Sequence, residues 1–117
     1  MKIMISQPMA GITDKEIEEV RERAKKVIED AGDEFVSTFF KDDWETLSAK
    51  LEAEGVKQVS LHFLARSLLE MSKCDGVYFC KGWLKARGCV IEHQVAKSYG
   101  LYIFYEYPKK EIIFPEV

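Results

Sequence analysis

Short apolar runs alternate with longer stretches of helical periodicity along the chain, and that alternation leaves few folds open. Lys2 to Ser6 is an apolar run closed by Gln7-Pro8, the pattern of a buried strand ending in a loop. Thr13 followed by Glu16 reads as a capping box. Behind it Ile17, Val20, Ala24, Val27, Ile28 and Ala31 recur at helical spacing, acids crowd the first turns, Lys25 and Lys26 follow, and Gly32 supplies the stop. Glu34 to Phe40, rich in β-branched and aromatic residues, reads as a second strand. Asp42 to Glu54 carries Trp44, Leu47 and Leu51 on one face of a short helix ended by Gly55. Leu61, Leu64, Leu68 and Met71 define another helix, Gly76 to Cys80 a third strand, and about Ala86 to Tyr99 a further helix stopped by Gly100. Leu101 to Tyr105 is a fourth strand, apolar enough to predict burial on both faces. Ile112 to Phe114, between Pro108 and Pro115, offers a short edge strand.

Strands and helices alternating across short connections predict an α/β fold: a single three-layer α/β/α sandwich over residues 1–117. Its sheet is expected to be mostly parallel, of four or five strands, flavodoxin- or Rossmann-like, in the order 2-1-3-4 with the fifth strand outermost. Ligands of such sheets bind beyond the carboxyl ends of the strands, where the strand order reverses. Three loops therefore become the places to look: Ser6 to Thr13, Phe39 to Asp43 and Lys81 to Gly88.

Composition narrows the function classes. Seventeen basic and 20 acidic residues give a net charge of −3 with no block of one sign, which argues against a nucleic-acid polymer as partner. The 117 residues, 47% of them hydrophobic, are enough for one core that buries roughly two-thirds of the unfolded surface. No apolar stretch approaches the ~20 residues of a membrane span, and MKIMISQPMAG lacks the long apolar segment of a secretion signal, so a cytoplasmic protein with no membrane partner is expected. Cys74, Cys80 and Cys89 are odd in number and show no C-x-x-C spacing, as expected of reduced thiols. Cys89 and His93 stand at i,i+4, but only Cys74, Cys80 or His62 could add ligands, at irregular spacing. Neither a metal nor a cofactor is expected.

The third loop is the most informative. The strand Gly76 to Cys80 leads into Lys81-Gly82-Trp83, then Ala86-Arg87-Gly88 and a helix that carries Glu92. A glutamate in the opening turns of a helix is held as an anion by the amide dipoles and, if it faces the crevice, is an available nucleophile. On spacing alone the plainer reading is a favourable acid on a solvated helix face. Asp75, just before the third strand, reads alone as a turn or cap residue. Ser6 and Gln7 close the first strand and Gly11 permits a tight return, a loop able to offer amides and hydrogen bonds to a polar ligand.

Taken together, KIMISQPMAG, CDGVYFCKGW and RGCVIEHQVAKSYGLYIFYE resemble the nucleoside 2-deoxyribosyltransferase-like superfamily, especially its short phage and bacterial members. The likeness is carried by the two ends of the chain, while residues 33 to 73 match only by pattern. It implies that Glu92 is a nucleophile toward the anomeric carbon of a deoxyribosyl group, and that Asp75 assists the leaving base. It implies a substrate pocket of Ser6, Gln7, Met9 and Gly11 from the first loop with Gly82, Trp83, Arg87 and Gly88 from the third. There Gly88 would let the sugar approach, Trp83 would stack on a base and Arg87 would pair with a phosphate or carboxylate. Two positions depart from the pattern: Met4 stands where active members carry a tyrosine, and Ala86 where they carry serine or aspartate.

The expected function is thus transfer or hydrolysis at the N-glycosidic bond of a nucleoside or nucleotide. The alternative is a nucleoside- or nucleotide-binding module of the same fold without efficient chemistry. The resemblance also implies a homo-oligomer, with a dimer favoured, and Phe39, Phe40, Trp44, Tyr99 and Tyr102 would suit its interface.

Overall fold

The computed structural model describes residues 1–40 and 42–106. Four strands form one sheet: β1 (Lys2–Ser6), β2 (Glu34–Val36), β3 (Gly76–Phe79) and β4 (Tyr102–Tyr105). All neighbours are parallel and the order is β2-β1-β3-β4, as the alternating pattern predicts. The helices are α1 (Asp14–Asp30), α2 (Trp44–Ala53), α3 (Val59–Met71) and α4 (Arg87–Ser98), with one 3₁₀ turn at Trp83–Lys85. The possible strand at Ile112 to Phe114 lies outside the described residues.

Side-chain alternation along the strands builds two cores. Ile3, Ile5 and Tyr78 point to one face and pack with Ala24 and Ile28 of α1. Met4, Val77 and Phe79 point to the other and pack with Met71 of α3 and Cys89 and Ala96 of α4. Each such side chain, removed almost wholly from water, contributes about 1.5–3 kcal/mol. Gly76 is required where β1, β3 and β4 meet: a Cβ there would stand 2.9 Å from both Ile3 Cδ1 and the Tyr102 carbonyl oxygen.

α1 begins where the sequence marks it, with Thr13 Oγ1 accepting the Glu16 amide at 3.2 Å. Two expectations are corrected. The second strand stops at Val36 instead of reaching Phe40, because the Thr38 hydroxyl, not a backbone amide, binds the Ile5 carbonyl at 3.1 Å and so replaces the ladder. β4 is not buried on both faces: Tyr102 is 62% and Phe104 37% exposed, since α1 sits over β1 and β2 and leaves this edge strand open on its side.

Candidate functional site

The connection from β1 to β2 and the connection from β2 to β3 run to opposite sides of β1, so the strand order reverses between β1 and β3. A cleft of about 980 Å³ opens there, above the carboxyl ends of the strands. All three loops singled out from the sequence line it: Gln7, Pro8, Met9 and Ala10 from the first, Phe39 and Phe40 from the second, Gly82, Lys85, Ala86, Arg87 and Gly88 from the third. α3 supplies a fourth wall with Gln58, Ser60, Leu61 and Leu64, which the sequence reading did not foresee.

Gly82 adopts φ +84°, and a Cβ on it would meet Pro8 Cγ at 3.6 Å, so the first and third loops touch here. The second loop is held against α3 by Arg66, whose guanidinium binds Asp42 at 2.7 Å and lies 4.0 Å over the Phe40 ring. Across the sheet from it, the Glu106 carboxylate binds Arg23 of α1 at 2.6 Å and accepts the Lys81 amide at 2.5 Å. The rims of the cleft are thus fixed by ion pairs and hydrogen bonds and not by backbone ladders.

Glu92 lies one turn beyond Gly88 on the same face of α4, and both line the cleft. The carboxyl is not on a solvated face: Glu92 is only 9% exposed. Burial pushes it up to about 7, while the Arg21 guanidinium and the Ser6 hydroxyl both pull toward the anion. Arg21, on α1, is itself only 6% exposed. Its two terminal nitrogens reach Thr38 Oγ1 at 3.4 Å, and its Nε has no partner. Gln7 Oε1 is likewise buried and without a hydrogen-bond partner; the Gln7 amide nitrogen is spent on the Ile17 carbonyl at 3.3 Å, which fixes Oε1 as the remaining acceptor. Ser6 and Gln7 stand at the end of β1 while Arg21 comes from α1, and buried polar groups of this kind cost stability unless a partner satisfies them.

Two other implied site residues stand elsewhere. Asp75 is at the amino end of β3, where its carboxylate accepts the Lys2 amide at 2.8 Å. β3 lies between it and the cleft, so at about 3.3 Å per residue Asp75 is roughly 16 Å from the Cys80 end and cannot assist a group bound beside Glu92. Trp83 does not face the cleft: it is 4% exposed, stacked on His93 at 4.2 Å between ring centroids and packed on Phe79. Gly11, at φ +74°, makes the turn of the first loop without lining the cleft, and Ser6 lies beneath the floor. Met4 is fully buried in the core under α4. Gly88 has open space where a Cβ would stand, and exposed Arg87 begins α4, whose first turn holds no acid and no capping side chain.

Arg21 and Thr38 escaped the sequence reading. The signal for Arg21 was present: Ile17, Arg21, Ala24 and Ile28 form the buried stripe of α1, and a cation within such a stripe needs an anionic or polar partner. Cys89 and His93 share one helix, but among the described residues no three potential ligands cluster to hold a metal ion. No helix among the described residues is long and apolar enough to cross a membrane.

Comparison with known proteins adds a family. A family model described as a domain of unknown function (DUF4406) matches residues 1–105. No curated protein and no solved structure matches the chain significantly.

Proposed function

The chain belongs to the DUF4406 family, and for this member we propose an enzyme of the N-glycosidic bond of a nucleoside or nucleotide, kin to the nucleoside 2-deoxyribosyltransferases. The observation that carries the reading is Glu92, a buried carboxyl in the wall of the cleft at the strand-order reversal, with Arg21 and Ser6 favouring its anion. In the reaction the Glu92 carboxylate attacks the anomeric carbon. The carbon–nitrogen bond breaks, its electron pair leaves with the base, and a glycosyl ester forms. Among the described residues Glu92 is the one acid lining the cleft, so the departing base takes its proton from water at the open mouth. Water or a second base then attacks the ester and releases the carboxylate. The apolar wall of Phe39, Phe40, Leu61 and Leu64 suits the flat face of a base, and Arg87 suits a phosphate or carboxylate at the mouth.

Incubation with a panel of nucleosides and nucleoside monophosphates, with and without a free base, tests this by chromatography. Base release or exchange that disappears in Glu92→Ala is the expected result; no product across the panel, or full turnover in that variant, rejects it.

A binding module of the same fold is the second reading, favoured by the lack of a second carboxylate in the cleft among the described residues and by Met4 in place of a hydroxyl donor. It predicts that a nucleoside or nucleotide raises the melting temperature and is recovered intact. For either reading we propose a cytoplasmic setting, in keeping with three unpaired cysteines. We also propose self-association through the exposed aromatics Trp44, Tyr99 and Tyr102. A light-scattering mass of one chain at micromolar concentration would rule the latter out.

A further inference from the structure

Resting on the reading of the cleft as a nucleoside site, we propose that Gln7 selects the ligand: its side-chain oxygen, Oε1, is a fixed acceptor for an O–H or N–H group of the bound molecule. Gln7 follows β1 directly, lines the cleft and is 6% exposed. Its amide nitrogen donates to the Ile17 carbonyl of α1 at 3.3 Å, and that bond decides which end of the amide carries the oxygen. Oε1 is left without a partner. An acceptor removed from water and left open costs stability in the free protein, and a ligand that donates to it recovers the loss.

The neighbouring chain does not close this bond itself. Pro8, next in sequence, has no amide hydrogen to give. Thr38, which also lines the cleft, spends its hydroxyl hydrogen on the Ile5 carbonyl at 3.1 Å. The open acceptor discriminates by the chemistry of what it meets. A phosphate or carboxylate only accepts and is repelled by Oε1, so such a group belongs beside Lys85 and Arg87, which stand exposed on the third loop. A sugar hydroxyl and an N–H of the base both donate. A ligand lacking the donor leaves the carbonyl buried and unpaired, which is how a polar site rejects an analogue of nearly the same shape.

The experiment titrates matched ligands calorimetrically into the native protein and into Gln7→Met, whose side chain has similar length and no acceptor of comparable strength. In the adenosine and cytidine series each ribose hydroxyl is removed in turn, and the exocyclic amine is replaced by hydrogen. One deletion is expected to weaken binding to the native protein by about tenfold to a hundredfold, and to change binding to Gln7→Met by less than about threefold. Whether that deletion is a hydroxyl or the amine identifies the donor. The NMR signal of the Gln7 side-chain carbonyl carbon, identified by its loss in Gln7→Met, is expected to shift with the parent nucleoside and not with that analogue, a response a merely structural glutamine would not give. Equal binding of all analogues to the native protein, or a deletion penalty that persists in Gln7→Met, overturns the proposal: the acceptor is then filled by water alone. Should Gln7→Met not fold, Gln7→Asn, which draws the acceptor back by one methylene, takes its place with the same two readings. Turnover without the selective loss rejects only the role of Gln7. A selective loss with every ligand recovered intact rejects the glycosidic chemistry and leaves Gln7 as a binding determinant, while binding by no member of the panel overturns both.

Discussion

Asp75 Oδ2 accepts a hydrogen bond from the Lys2 amide at 2.8 Å, at the end of the sheet opposite Glu92. The Asp75 amide donates to the Lys2 carbonyl at 2.8 Å, and its carbonyl accepts the Tyr102 amide at 3.0 Å. One residue thereby ties together the beginnings of β1, β3 and β4. Asp75→Ala is expected to cost about 1 kcal/mol, the worth of a charge-assisted hydrogen bond at an accessible site, and to leave turnover per folded molecule unchanged. Urea denaturation beside the base-release assay checks both halves.

Glu92 makes stability depend on pH in a direction opposite to most carboxylates. Its folded value, about 7, stands above the ordinary 4.5, so the native state binds the proton more tightly than the unfolded chain. The stabilisation is complete below about pH 4.5 and is lost as pH rises through about 7. Glu92→Gln removes the buried charge. It should be more stable than the native protein at pH 8 by about 3 kcal/mol, with the gap closing toward pH 5, while abolishing turnover. Denaturation midpoints at the two pH values measure the gap.

Much of this architecture was legible because it rests on local periodicity. The stripe of α1, the Thr13 cap and the apolar strands each state their own structure, and the parallel order follows once helices separate the strands. What was not legible depends on long-range contacts. Asp75 and Glu92 both flank β3 in sequence, and only the direction of the strand decides that one faces the cleft and the other the far edge. Trp83 sits in a glycine-bearing loop, where an aromatic looks available to a ligand. Its partners His93 and Tyr105 come from α4 and β4, and no spacing rule announces them. Thr38 ends β2 early by a side-chain bond to β1, which a β-rich run of residues cannot reveal.

Trp83→Ala is expected to cost about 3–5 kcal/mol, since the indole is buried against Phe79, His93 and Tyr105 and its removal leaves a cavity. Ligand affinity of the protein that remains folded should be unchanged. Calorimetric unfolding and a binding isotherm separate the two effects, and a selective loss of affinity would return Trp83 to the cleft.

Gly88→Leu should behave in the reverse way. Nothing lies within 4 Å of a Cβ at this position, so the helix can accept the side chain and gain up to about 0.5–1 kcal/mol from the lost glycine. The leucine would project into the cleft one turn before Glu92 and is expected to weaken substrate binding by about tenfold or more, equivalent to about 1.4 kcal/mol. Melting temperature and KM read the two consequences.

The Glu106 carboxylate follows β4, yet it grips the Lys81 amide in front of Gly82 and Arg23 on α1. Chain tracing alone would file this residue with the tail of the molecule, remote from any chemistry. Mechanically it is a strut: shortening the protein to Tyr105, or neutralising that one acid, would slacken the lip of the cleft without touching a residue that lines it.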